Sequence, residues 1–211
     1  MMRQTFAIAI FSTYALLAPH CWAQQKNEIA GSFGRIFISH QTVPGTDFAG
    51  NSVAFGNGLS FDVTYARLIR SGDVASLSLE VPALFNVDED LNYGVNVIPQ
   101  GYRSYFVTPS ARVTFFPNIP LTPWVSLGGG FGHFCESSNL EFGGSNPNKS
   151  GNTTGVLQFG GGVDIKAWRS LSFRGEVRDF YSGVPELNVN TGKSHQQNLF
   201  VGVGVVWQFG R

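Results

Sequence analysis

The chain has 211 residues, with 14 Lys plus Arg against 14 Asp plus Glu and no net charge. Charged residues are only 13% of it, while it carries 26 glycines and 19 phenylalanines. Half the usual charge content with many aromatics excludes a disordered, charge-rich chain, and the lack of a basic patch argues against nucleic acid as a partner.

The N-terminus reads as a secretory signal. Arg3 supplies the positive start, Phe6 to Leu17 the apolar core, and Cys21-Trp22-Ala23 the small residues before cleavage. Residues 1–23 are therefore expected to be removed, leaving residues 24–211 as one domain. Cys21 would leave with the signal, so Cys135 has no partner for an internal disulfide. A lipidated Cys21 is disfavoured by the large His20 before it. No later run of about 18 apolar residues offers a helical span.

Eight segments then alternate with period 2, the repeat of a strand with two different faces. The first runs from Ile29 to Ser39, with Phe33, Arg35 and Phe37 on one face. The second, Leu59 to Ile69, sets Leu59, Phe61, Val63 and Tyr65 against Ser60, Asp62, Thr64 and Ala66. Val74 to Val87 sets Leu77, Leu79 and Val81 against Ser76, Ser78 and Glu80. Arg103 to Phe116 sets Tyr105, Val107 and Val113 against Thr108, Ser110 and Arg112. Thr122 to Phe134 carries Val125, Leu127 and Phe131 on its apolar face. Gly155 to Ala167 opposes Leu157, Phe159, Val163 and Ile165 to Gln158, Gly160, Gly162, Asp164 and Lys166. Leu171 to Tyr181 opposes Leu171, Phe173 and Val177 to Ser172, Arg174, Glu176 and Arg178. The last, Asn198 to Phe209, has Leu199, Val201, Val203, Val205, Trp207 and Phe209 on one face and Phe200, Gly202 and Gly204 on the other.

The connections alternate in length. Residues 40–58, 88–102, 135–154 and 182–197 are long and polar; residues 70–73, 117–121 and 168–170 are tight turns. A soluble sandwich would share the strand period. The alternation of long and short connections, the persistent apolar face and the signal favour a membrane barrel. So do the aromatics placed at strand ends: Tyr65, Tyr105, Phe115, Phe134, Tyr181, Trp207 and Phe209. The fold expected is all-β, an eight-stranded antiparallel transmembrane up-and-down β-barrel.

With its signal, eight segments, the GGGFGHF stretch at Gly128 to Phe134, the RGEVRDFY stretch at Arg174 to Tyr181 and an aromatic-ended last strand, the mature chain resembles the OmpA-type eight-stranded outer-membrane barrels of Gram-negative bacteria. The resemblance covers the barrel alone, with no periplasmic domain after it. It implies a place in the cell outer membrane among its lipids and lipopolysaccharide. It further implies that Trp207 and Phe209 form the C-terminal signal read by the barrel-assembly machinery, although Gly210 and Arg211 follow where the family ends on the aromatic. A monomer is expected.

Eight strands enclose a bore just wide enough for side chains. The charges on the inward face are Asp62, Glu80, Asp164 and Glu176 against Arg112, Lys166, Arg174 and Arg178. Such a lumen ion-pair network either plugs and rigidifies the barrel or forms a gate; the plug is the simpler expectation. If Arg35 also points inward, it adds a fifth base.

The remaining chemistry is thin. His40 and His195 flank the first and last strands, too few for a metal site. Asp88-Glu89-Asp90 suits a solvated face better than a calcium site. Some small outer-membrane barrels deacylate lipid A or phospholipids with a His–Ser pair and an acid. His133, Glu136, Ser137 and Ser138 supply those residue types without a matching motif, so no enzyme activity and no cofactor are expected. A structural, envelope-related role with at most narrow porin-like permeation is the leading function, with binding through the surface loops as the alternative.

Overall fold

The period-2 segments form strands, and the strands close on themselves. In the computed structural model, which describes residues 27–45, 51–56, 58–147 and 151–210, the elements are β1 (Asn27–Phe37), β2 (Gln41–Thr42), β3 (Ser52–Phe55), β4 (Leu59–Arg70), β5 (Ala75–Asn92), β6 (Gly101–Val107), β7 (Ser110–Phe115), β8 (Leu121–Glu136), β9 (Gly151–Lys166), β10 (Leu171–Ser182) and β11 (Gln196–Phe209). The signal segment lies outside the described residues.

Eleven strands reduce to eight staves. β1 pairs with β4, and the antiparallel ladder runs on through β5, β6 with β7, β8, β9, β10 and β11. β11 then pairs with β1 from Asn27↔Phe209 to Phe37↔Leu199, which closes the ring. β6 and β7 are one stave interrupted at Thr108-Pro109, because proline has no N–H for the ladder. Gly128 and Gly130 lie against this break; a Cβ on either would strike the backbone of Pro109 or Val107. β2 and β3 belong to the first long connection, where β3 adds to the end of β5 through Ala54↔Asn92 and Phe55↔Leu91.

The two faces separate by residue parity. Odd-numbered residues such as Phe33, Phe61, Leu79, Leu127, Phe159, Phe173 and Val203 are exposed on the outside of the ring. A ring whose outer face is continuously apolar is suited to lipid, where every backbone group must be paired within the sheet. Arg35 is also exposed and opposes Leu59 and Val201, so it does not enter the lumen. Phe134 departs from the expected aromatic girdle: it is even-numbered and fully buried inside.

Three features of the sequence reading change. β5 extends to Asn92 through a bulge between Asn86 and Glu89, so Asp88-Glu89-Asp90 is strand and not loop. The bulge shifts the parity, and Glu89 and Leu91 face inward. β9 begins at Gly151, which shortens the third long connection. Lastly, the interior is ionic in the half nearer the tight turns, as Glu28, Glu80, Arg112, Asp164, Arg174 and Arg178 are buried there. In the other half Ile36, Leu84, Phe106, Phe134, Phe180 and Phe200 form an apolar cluster, which continues into Val43, Val53, Phe55, Leu91, Tyr93 and Ile98 of the long connections.

Adjacent residues of β11 test the two faces. Val203→Arg on the outer face is expected to cost about 2–4 kcal/mol of folding free energy in vesicles. Gly202→Val on the inner face crowds the Phe200 ring, which a Cβ there would meet, and is expected to cost about 1–3 kcal/mol. Urea titration of vesicle-folded protein measures both.

Candidate functional site in the barrel lumen

The inward charges come from even-numbered positions on β1, β4, β5, β7, β9 and β10. Asp164 and Arg174 are Cα partners across the β9–β10 hairpin, and their side chains meet in a two-pronged contact at 2.8 Å on each prong. From Arg174 the contacts pass to Glu28 at 2.9 Å, Arg112 at 2.6 Å, Glu80 at 3.5 Å, Arg178 at 2.7 Å and Glu176 at 3.0 Å. Four carboxylates thus alternate with three guanidiniums in one unbroken chain. All seven residues are buried. Alternation is what a low-dielectric interior requires, since each charge there needs an opposite neighbour.

One member of the chain and one neighbour of it are not marked in the sequence as site residues. Glu28 precedes the first strand as read from Ile29, yet β1 begins at Asn27 and Glu28 joins Arg112 to Arg174. Its even number, matching Ser32 and Ile36, was the available signal. Trp124 is the other. Its ring is 1% exposed and lies under all three guanidiniums, whose central carbons are 5.8 Å (Arg112), 5.0 Å (Arg174) and 4.9 Å (Arg178) from its centroid. An indole face attracts cations, and more strongly when both are dry. The indole N–H donates to Asp164 at 3.3 Å. Gly162 makes the room, because a Cβ there would run into the indole.

Lys166 does not join the chain. It is exposed at the mouth nearer the tight turns, where it lines a polar vestibule of about 290 Å³ with Glu28, Arg112 and Asp164. It lies two residues past Asp164 on β9, at the exposed end of that strand, so water solvates it. Asp62 is buried but also outside the chain; Thr64 Oγ1 donates to it at 2.6 Å.

Above the charges a polar layer intervenes. Ser110 Oγ donates to Gln158 at 2.6 Å, and Gln158 Nε2 donates to Ser126 at 3.1 Å. Then come the aromatics: Phe106 stacks on Phe180 at 5.3 Å, Phe134 meets Phe106 edge-on at 5.7 Å, and Tyr102 meets Phe134 at 5.7 Å. The lumen is filled from mid-barrel to the long connections.

The other candidates disperse. His133 is on the outer wall, where its Nδ1 is 2.8 Å from Thr153 Oγ1, and Ser137 Oγ instead accepts from the Asn139 N–H at 3.2 Å. His195 stacks on Tyr181 at 5.2 Å. Among the described residues no group of three or more His, Cys, Asp or Glu is placed to hold a metal. Trp207 and Phe209 stack at 5.0 Å at the end of β11.

A closed eight-stave ring, apolar outside and filled inside, defines a transmembrane β-barrel. Known structures share this architecture. OprG, an outer-membrane protein of Pseudomonas aeruginosa, is 12% identical with a TM-score of 0.55 over 90% of this chain and 98% of its own. The attachment invasion locus protein of Yersinia pestis, crystallised with the heparin analogue sucrose octasulfate, is 13% identical with a TM-score of 0.50 over 88% and 99%. Neisserial surface protein A is 15% identical with a TM-score of 0.50 over 88% and 97%. Identities this low establish the fold, that of the eight-stranded outer-membrane barrels. No family model and no curated protein matches the sequence.

Arg178→Ala strands Glu176 inside the barrel, leaves Glu80 only its longer contact with Arg112, and is expected to cost about 3–5 kcal/mol, whereas Lys166→Ala at the wet mouth changes stability by less than about 0.5 kcal/mol. Urea titration of the two variants checks the contrast.

Proposed function

We propose that this chain is an integral protein of the bacterial outer membrane with a structural, envelope-related role, and that its barrel is closed to solutes at rest. One observation carries this reading. The bore is blocked twice, by the guanidinium–carboxylate chain around Trp124 and by the aromatic cluster above it. A path through would have to break buried ion pairs and also open a close-packed apolar layer, and each costs several kcal/mol. The charge chain acts as a plug and not as a gate. The apolar outer wall and the signal-like N-terminus support the location, with outer-membrane lipid and lipopolysaccharide as the surroundings. The closed ring leaves no barrel-strand edge to pair, which supports a monomer. Trp207 and Phe209 serve as the signal for the barrel-assembly machinery.

A second reading, binding through the surface connections, has its own observation. Those connections are tied together: Asn96 Nδ2 donates to the Gly143 carbonyl at 3.0 Å, and Asn188 Nδ2 donates to Asn146 at 2.8 Å. The platform they make presents Phe142, Val95 and Val97 to solvent. An organised apolar patch of this kind suits a protein partner.

Planar-bilayer recording separates the outcomes. The refolded protein is expected to give no resolvable unitary steps, and the double variant Trp124→Ala/Phe106→Ala to give brief ones. Steady porin-scale steps from the unaltered protein would overturn the plug. Loss of cell-surface binding in Phe142→Ser, with insertion intact, would support the second reading.

A further inference from the structure

Glu89 is a buried carboxyl that the lumen plug does not use. The β5 bulge turns it inward, four residues beyond Phe85, whose ring meets Tyr105 on the outer wall at 5.9 Å. A tilted strand crosses the hydrocarbon in about 9–11 residues, a length β5 reaches from Ala75 by Phe85, so Glu89 stands above the lipid-facing band, in the cap built by the long connections. It has no exposed surface. Its Oε2 accepts from Asn86 Nδ2 at 2.9 Å and from the Gly58 backbone N–H at 3.4 Å, and its Oε1 has no hydrogen-bond partner.

The groups around it leave a negative charge uncompensated. On its own strand Asp88 and Asp90 carry the same sign. Across β6, its Cα partner Tyr102 is buried and neutral, with Glu136 of β8 also near that ring. β4 supplies only Ser60, whose hydroxyl donates to Asn86. No Lys, Arg or His among the described residues forms an ion pair with Glu89. Burial pushes its carboxyl up to about 7.

The cap is what buries this carboxyl, and that burial outweighs the Gly58 contact, which by itself favours the charge. Gly58 follows β3, which docks on β5 through Phe55↔Leu91, and the Gly56 N–H donates to the Asp90 carbonyl at 2.9 Å. Phe55, Leu91 and Tyr102 belong to the apolar cluster that closes the outer end of the bore. A charge appearing at Glu89 would therefore sit beneath the seal.

We infer that Glu89 is an acid-sensitive latch, whose protonated form keeps β3 docked on β5 and whose charged form releases it. The sign follows from linkage. A carboxyl with a folded value above its unfolded value near 4.5 contributes stability that is present in acid and lost as pH climbs toward about 7. That span of about 2.5 pH units corresponds to about 300-fold in the docking equilibrium. Because Glu89 stands apart from the Arg112, Arg174 and Arg178 chain, the latch holds or fails independently of the plug.

Hydrogen exchange of the vesicle-inserted protein between pH 5 and 9, normalised to an unstructured peptide, tests this. Protection of the amides of residues 52–56 is expected to fall by roughly 80-fold from pH 5, most of it below about pH 7, and then to level off, while amides of residues 172–178 stay protected throughout. Glu89→Gln is expected to keep the acid-level protection at every pH. Asn86→Leu, which removes the strongest donor to the charged form, is expected to move the fall to higher pH. A flat profile in the unaltered protein, or the same fall in Glu89→Gln, would overturn the latch; if that variant does not insert, the unaltered profile and Asn86→Leu decide.

Discussion

Everything in this molecule depends on one constraint: a backbone placed in lipid must satisfy every N–H and C=O within its own sheet. A sheet meets that demand only if it has no edge, and β1 meets β11 along eleven paired residues to remove the last one. Closure in turn imposes the rest. With eight staves the bore is narrow, every second side chain must enter it, and what enters must fit and be neutralised. The glycines at Gly162 and Gly202 face the interior where Trp124 and Phe200 take the available volume.

The contents of the bore divide by the kind of solvent at each end. Near the tight turns the filling is ionic, an alternating chain whose members come from strands far apart in sequence, such as Glu28 and Arg174. Trp124 packs against it, offering its indole ring to three cations that would otherwise repel one another. Nearer the long connections the filling is aromatic and fuses with the cap. These two fillings resist different insults. Ionic strength and partial hydration weaken the first, and loss of a ring volume weakens the second.

The cap is more ordered than its composition suggests. The long connections are polar, and their asparagines Asn96 and Asn188 bridge one connection to the next. The long connections therefore behave as an extension of the barrel above its membrane band. Glu89 and Tyr102 sit where that extension joins the staves, and this is where a buried polar group has fewest compensating neighbours.

The strands, their two faces, the alternation of long and short connections and hence the barrel are legible residue by residue, because period 2 is a local property that lipid and lumen read directly. So are most of the inward charges, since Asp164, Arg174, Glu176 and Arg178 lie on one hairpin whose register follows from its short turn. Only the tertiary structure decided which charges meet. Glu28 and Arg112 come from β1 and β7, three staves apart around the ring, and contacts across a bore have no period. For the same reason Lys166 shares the parity of Asp164 and yet falls outside the chain: depth along the barrel, not facing, separates them. Phe106, Phe134, Phe180 and Phe200 all carry the inward parity, but an apolar residue inside an otherwise polar face reads as an exception until neighbouring strands bring the exceptions to one level. The β5 bulge sets the final limit. One extra residue reverses the facing of Glu89, and pairing with β6, not the local pattern, places it there.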